Sequence, residues 1–198
     1  MPDWSRFLPL STGASHDESG VSNDWRSPVA DRLDRLAVLA VSPSVTEGET
    51  AGAVRGALLG ELVVRLSSST GQRLAARLGA RESSAPPPPE SVPGALAALA
   101  STRRAGAGPN GVAELVEVVR VELALSSGLD LPDRVSGAVA LDRLQRGPLA
   151  IRAAARGRSL APTDATWELG SGPAVRAPAE EILRFLLGLG PFPGESSA

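Results

Sequence analysis

The stretch Val112-Ala-Glu-Leu-Val-Glu-Val-Val-Arg-Val-Glu-Leu-Ala-Leu-Ser-Ser127 decides how the chain is read. Val112, Leu115, Val116, Val119, Leu123 and Ser126 recur at three- and four-residue steps, so they fall along one face of a helix. Glu114, Glu117 and Arg120 fall on the other. Gly128 ends the segment and Pro132 follows, as expected where a helix stops. A two-faced helix of this length needs neighbours to cover its apolar side, so the flanking segments are read for partners.

Upstream, Ser27 is a candidate N-cap and Pro28 suits a first helical turn. Val29, Leu33, Leu36, Val38 and Leu39 then form a stripe that ends near Ser42-Pro43. A second helix is expected from Thr46–Gly48 onward, with Ala51, Val54, Leu58, Leu62 and Leu66 on one side. Gly52, Gly56 and Gly60, four residues apart, are read as places where a neighbour can come close. A third helix is expected over Gly71–Leu78 and a short one over Gly94–Arg104. Between them, residues 83–93 hold four consecutive prolines. Proline has no N–H to give a helix, so this segment reads as a stiff extended connection.

Downstream, Asp133–Ala155 reads as helix with a break at Gly147-Pro148. The pattern then changes to short β-compatible runs at Ser159–Ala161, Thr166–Leu169 and Ala174–Arg176, with Gly170-Ser171-Gly172-Pro173 as a turn. Pro178 opens a last helix whose apolar face is Ile182, Leu183, Phe185, Leu186 and Leu189. Glu180 and Glu181 sit in its first turn, at the positive end of the helix dipole. The expected fold is mainly α with a small α+β unit. Residues 1–27 form an irregular arm carrying Trp4, Phe7 and Trp25, residues 28–132 a helical bundle, residues 133–190 the α+β unit and residues 191–198 a tail.

Composition narrows the chemistry. The chain has 198 residues, 42% of them hydrophobic but only 3% aromatic, so its core must come from Leu, Val and Ala. There is no cysteine, which removes disulfides, thiolate metal sites and Cys nucleophiles. All basic side chains are Arg, so mechanisms that need a lysine amine are also absent. This Ala-, Gly-, Pro- and Arg-rich usage points to a GC-rich, actinobacterium-like genome. With a net charge of -2, the chain is not expected to bind nucleic acid. No apolar run reaches membrane-spanning length and the N-terminus lacks a secretory pattern, so a cytoplasmic protein is expected.

The run Thr163-Asp164-Ala165-Thr166-Trp167-Glu168-Leu169-Gly170-Ser171-Gly172-Pro173, followed by Val175, Pro178, Ala179, Glu180 and a Leu-rich helix, resembles the C-terminal domain of the mycothiol-dependent maleylpyruvate isomerase family. The helix with Leu115, Glu117, Val119, Leu123, Gly128 and Pro132 is similar to the bundle helix before that domain. The resemblance implies a DinB-like helical bundle with a divalent metal held mainly by histidines. The matching positions here are Ala57, Val119 and Glu122, and the only histidine is His16 in the arm. No zinc site can be assembled from one imidazole and no thiolate. An all-carboxylate site would have to draw on Glu61 and Glu122.

The resemblance therefore implies a divergent member without metal or other cofactor. Such a member binds a small molecule, or acts on one as a cofactor-free isomerase- or cyclase-like enzyme in specialised metabolism. The alternatives are a mycothiol-dependent isomerase or transferase with a divalent metal, and a non-catalytic module that docks through the Pro tract and the arm. Glu122, beside the apolar stripe, is the candidate acid or base. Glu61, Arg65 and Arg120 are the candidate substrate-binding residues, through carboxylate and guanidinium contacts. The competing reading of Glu61 and Arg65 is a surface ion pair at i,i+4, and that of Glu122 is a boundary residue reaching solvent. Arg143, Arg146, Arg152, Arg156 and Arg158 form a basic stretch that can attract an anionic partner or simply coat a solvated helix face.

Overall fold

The helix at the centre of the sequence is also at the centre of the fold. The computed structural model describes residues 23–41, 49–68 and 86–194, and among these the chain forms seven α-helices, one 3-10 turn and three short strands. The helices are α1 (Arg26–Val41), α2 (Glu49–Ser67), α3 (Val92–Arg104), α4 (Val112–Leu125), α5 (Asp133–Arg146), α6 (Leu149–Ala155) and α7 (Ala179–Leu186). The strands are β1 (Ser159–Pro162), β2 (Leu169–Gly170) and β3 (Ala174–Ala177). The mainly helical fold with a small α+β unit is as the sequence pattern implies. The helix expected over Gly71–Leu78 and the arm residues Trp4, Phe7 and His16 lie outside the described residues.

Helix α4 packs against α1, α2, α5 and α7. Leu115, Val118, Val119 and Leu123 are completely enclosed. Each such side chain contributes about 1.5–3 kcal/mol through removal from water. They join Leu33 and Leu36 of α1, Leu59 and Leu62 of α2, Leu96 of α3, Val139 of α5 and Ile182, Leu183 and Leu186 of α7 in one continuous core. Phe185 is the one aromatic ring buried in this core among the described residues, with Trp25, Trp167 and Phe192 packed on its edge, so aliphatic side chains supply most of it.

Several local expectations are corrected. Helix α1 starts at Arg26, and its cap is Asp24, whose Oδ1 accepts the Arg26 N–H at 3.0 Å; Ser27 lies inside the helix. Asp24 does this better because its side chain also grips the Arg26 guanidinium, which holds the Asp24 carboxyl down to about 2. Of the three spaced glycines in α2, only Gly60 meets a neighbour among the described residues, with Pro86 Cβ at 3.4 Å from where its own Cβ would stand. Glu114 is not on the solvent side of α4 but buried against Arg103.

The sheet has the order β2-β1-β3. β1 pairs antiparallel with β2 and parallel with β3, in the register Leu160↔Leu169 and Leu160↔Val175. β2 is shorter than the β-compatible run suggests because residues 163–168 are used as a staple instead. The Thr163 N–H donates to the Ala177 carbonyl at 3.0 Å. Asp164 Oδ1 accepts the Ala179 N–H at 2.7 Å and so caps α7. Asp133 at the start of α5 accepts both the N–H and the hydroxyl of Thr166. Trp167 Nε1 donates to Ser136 Oγ at 2.9 Å, and its ring lies against Gly137, where a Cβ would stand 3.2 Å away. The run from Thr163 to Glu168 is, in physical terms, the joint between the sheet, α5 and α7.

Candidate functional site

The candidate residues divide between two faces of α4. Successive residues of an α-helix turn by about 100°, so positions 120 and 122 point to nearly opposite sides. Arg120 faces α2, whereas Glu122 faces α1.

On the α2 side, Glu61 and Arg65 lie one turn apart and meet at 2.5 Å. Arg65 Nη1 also reaches across to Glu117 of α4 at 2.8 Å. The Glu61 hydrogen bond, followed by the charges of both carboxylates, holds the Arg65 guanidinium above its usual pKa. Arg120 lies one turn beyond Glu117 and is exposed, with no hydrogen-bond or ion-pair partner among the described residues. These four side chains rim a shallow cleft of about 170 Å³ whose floor is Leu58, Leu62, Val121, Ala124 and Leu189. Clefts for drug-sized ligands run to roughly 300–1,000 Å³, so this one suits only a small group. Glu61, Arg65 and Arg120 are thus brought together. Glu117, which ties Arg65 of α2 to α4, belongs in the sequence only to the solvent face of its helix, because its contact with Arg65 is set by how the two helices cross.

On the α1 side, Glu122 is completely buried. Arg32 Nη1 stands 3.4 Å from Glu122 Oε1, and Arg35 Nε stands 3.5 Å from the same oxygen. The Arg32 guanidinium also reaches the Asp130 carbonyl at 3.4 Å. Glu122 Oε2 has no hydrogen-bond partner among the described residues. Burial pushes the carboxyl above its usual range, and the two arginines only partly oppose this. Arg32 and Arg35 are the residues the stripe analysis missed. Arg32 stands three residues after Val29 and four before Leu36, inside the apolar stripe, and that interruption is its signal. Glu122 does not open onto the cleft, so it cannot act there as acid or base.

The positions where the family resemblance calls for metal ligands do not fit a cation. Ala57 offers no donor, Val119 is enclosed hydrocarbon, and Glu122 is already faced by two guanidiniums. Glu61 and Glu122 lie on opposite sides of α4. Among the described residues, no group of three or more His, Asp or Glu side chains is close enough to share a cation. None of the described helices is long and apolar enough to cross a membrane. A comparison of the chain with known protein families, curated proteins and solved structures finds no match.

Proposed function

We propose that the α2–α4 cleft binds a small organic anion with a short apolar body, and that the chain is a divergent, metal-free small-molecule binder on the isomerase-like scaffold its sequence resembles. The observation that carries this reading is the placement of Arg120. It is an exposed cation at the rim of an apolar floor, while the neighbouring Arg65 is already neutralised by Glu61 and Glu117. A guanidinium offers a planar fork of donors that matches a carboxylate, and Leu58, Leu62 and Val121 can cover a hydrocarbon tail. Binding fits these groups better than turnover does. Guanidiniums hold their protons too tightly to exchange them at neutral pH, and both carboxylates are engaged with Arg65.

The test is thermal stability with hexanoate and benzoate as probes, and with hexanol and hexylamine as controls. A ligand that prefers the native state raises its melting temperature. The carboxylates should raise it and the controls should not. Arg120→Met should weaken the effect about tenfold, the loss of a charge-assisted bond of roughly 1.5–3 kcal/mol partly offset by water. Equal responses from wild type and Arg120→Met, or none from wild type, would remove the cleft as a site.

A further inference from the structure

None of the arginines of the basic stretch lines the cleft. Residues 143–158 contain five arginines and no acidic residue, although the whole chain carries a net charge of -2. This stretch alone carries a charge of +5, so the rest of the chain, with fifteen arginines and twenty-two acidic residues, carries -7. Helix α6 lies in the middle of this stretch. Ile151 and Ala155 are its inward side, Ala155 buried and Ile151 packed on the core. Leu149, Arg152 and Ala153 follow the i, i+3, i+4 spacing and share the opposite side, and Arg156, the first residue past the helix, follows four residues after Arg152. All four are exposed, and Leu149 is 75% exposed, the most open large apolar side chain among the described residues. Arg146 is bound to Asp142 at 3.1 Å, and Arg158 lies over the Phe192 ring at 5.0 Å. Arg152 and Arg156 have no ion-pair partner among the described residues.

We infer that this side of α6 is a docking surface for an acidic segment of a partner protein. The occupant carries two carboxylates about one helical turn apart, to meet Arg152 and Arg156, and an apolar side chain between them to cover Leu149. Guanidiniums recognise carboxylates by paired hydrogen bonds, and an apolar anchor ringed by charge is a common arrangement at protein interfaces. A bilayer is a poorer occupant, because a seven-residue helix with one large apolar side chain on this face has little to insert. Single-stranded nucleic acid is poorer too, because no aromatic ring stands on this face for bases to stack on.

The experiment uses the full chain and a fluorescein-labelled peptide of repeating Glu-Glu-Leu, read by anisotropy at two salt concentrations. Binding should weaken with salt. It should fall about tenfold in Arg152→Glu/Arg156→Glu and several-fold in Leu149→Ser. Both variants should melt close to wild type because the substituted side chains are exposed. Four outcomes would overturn the proposal. These are no binding by wild type, equal binding by all three proteins, salt-dependent sedimentation with phosphatidylserine vesicles in place of peptide binding, and self-association of wild type that the charge reversal abolishes. The last two would assign the surface to a membrane or to a second copy of this chain.

Discussion

Arg103 and Glu114 meet inside the core, with Arg103 Nε 3.0 Å from both carboxylate oxygens and Nη2 2.6 Å from Oε1. Each side chain is only 4% exposed, and Arg103 Nη2 also donates to the Leu66 carbonyl at 3.3 Å. The pair ties the end of α3 to the start of α4 and to the last turn of α2. Glu122, two turns further along α4, meets Arg32 of α1 in the same manner but less closely. The bundle is thus pinned at two levels by charge pairs about 12 Å apart along one helix.

The first pair should be costly to break and cheap to replace. Glu114→Ala leaves a guanidinium buried without its counter-ion and should destabilise the fold by about 3–5 kcal/mol. The double variant Arg103→Met/Glu114→Leu removes both charges and keeps volume, and should recover most of that loss. Urea unfolding of the three proteins decides it. A double variant as unstable as Glu114→Ala would mean that the pair contributes more than mutual neutralisation.

Gly108 gives an independent reading of the same pair. Its φ is +93°, a region that costs an L-residue about 1–2 kcal/mol, and a Cβ there would stand 2.4 Å from Arg103 Nη1. Gly108→Ala must therefore push the guanidinium off Glu114 in addition to straining the backbone. In the Arg103→Met/Glu114→Leu background only the backbone cost should remain. A substitution that costs the same in both backgrounds would show that Arg103 moves aside without loss.

Glu122 should give the protein an unusual pH response. Burial raises its carboxyl pKa, with Arg32 and Arg35 of α1 as the opposing charges and the Asp130 carbonyl beside them. The unfolded chain releases this proton near pH 4.3, whereas the folded protein keeps it to a higher pH. The stability tied to Glu122 is therefore full below the unfolded value and lost as pH rises through the folded one. Asp133 and Glu180 work in the opposite sense. Hydrogen bonds from Thr166 hold the Asp133 carboxyl low. At Glu180, burial works upward but is outweighed by bonds from Arg184, Leu129 and Gly128. Their contribution is lost on acidification. Glu122→Gln isolates the first effect: the wild-type stability relative to this variant should fall between pH 4 and neutrality. A constant difference across that range would mean that Glu122 titrates normally.

The sequence made some of this legible. Helices α1, α4 and α7 follow from their stripes because a three- to four-residue period survives whatever the helix packs on. Gly147-Pro148 marks the break between α5 and α6 because proline has no N–H to donate. Glu61 and Arg65 were visible as a pair because their contact is local to one helix. Arg65–Glu117, Arg103–Glu114 and Arg32–Glu122 were not, because which guanidinium meets which carboxylate is set by how helices cross. Each of these side chains reads alone as a solvent-facing or boundary residue. Glu122 illustrates the limit: its step from Val119 placed it next to the stripe, but only α1 decides that it is sealed from the cleft.

The staple at residues 163–168 yields the last prediction. Asp164 caps α7 from fifteen residues upstream, so its loss should act on the helix and on the joint together. Asp164→Ala leaves the Ala179 N–H without its acceptor and should cost about 1 kcal/mol, within the usual range for a cap. Asp164→Asn keeps an acceptor oxygen and should cost only a few tenths. Gly137→Ala should reach the same joint from the other side, because its methyl would press on Trp167 and strain the bond to Ser136 Oγ, again by roughly 1 kcal/mol. Asp164 and Gly137 touch different members of one network, so combining Asp164→Ala with Gly137→Ala should cost less than the two separately. Thermal unfolding of the three variants measures this. Strict additivity would show that the cap of α7 and the Trp167 contact are independent, and that the loop is not a single joint.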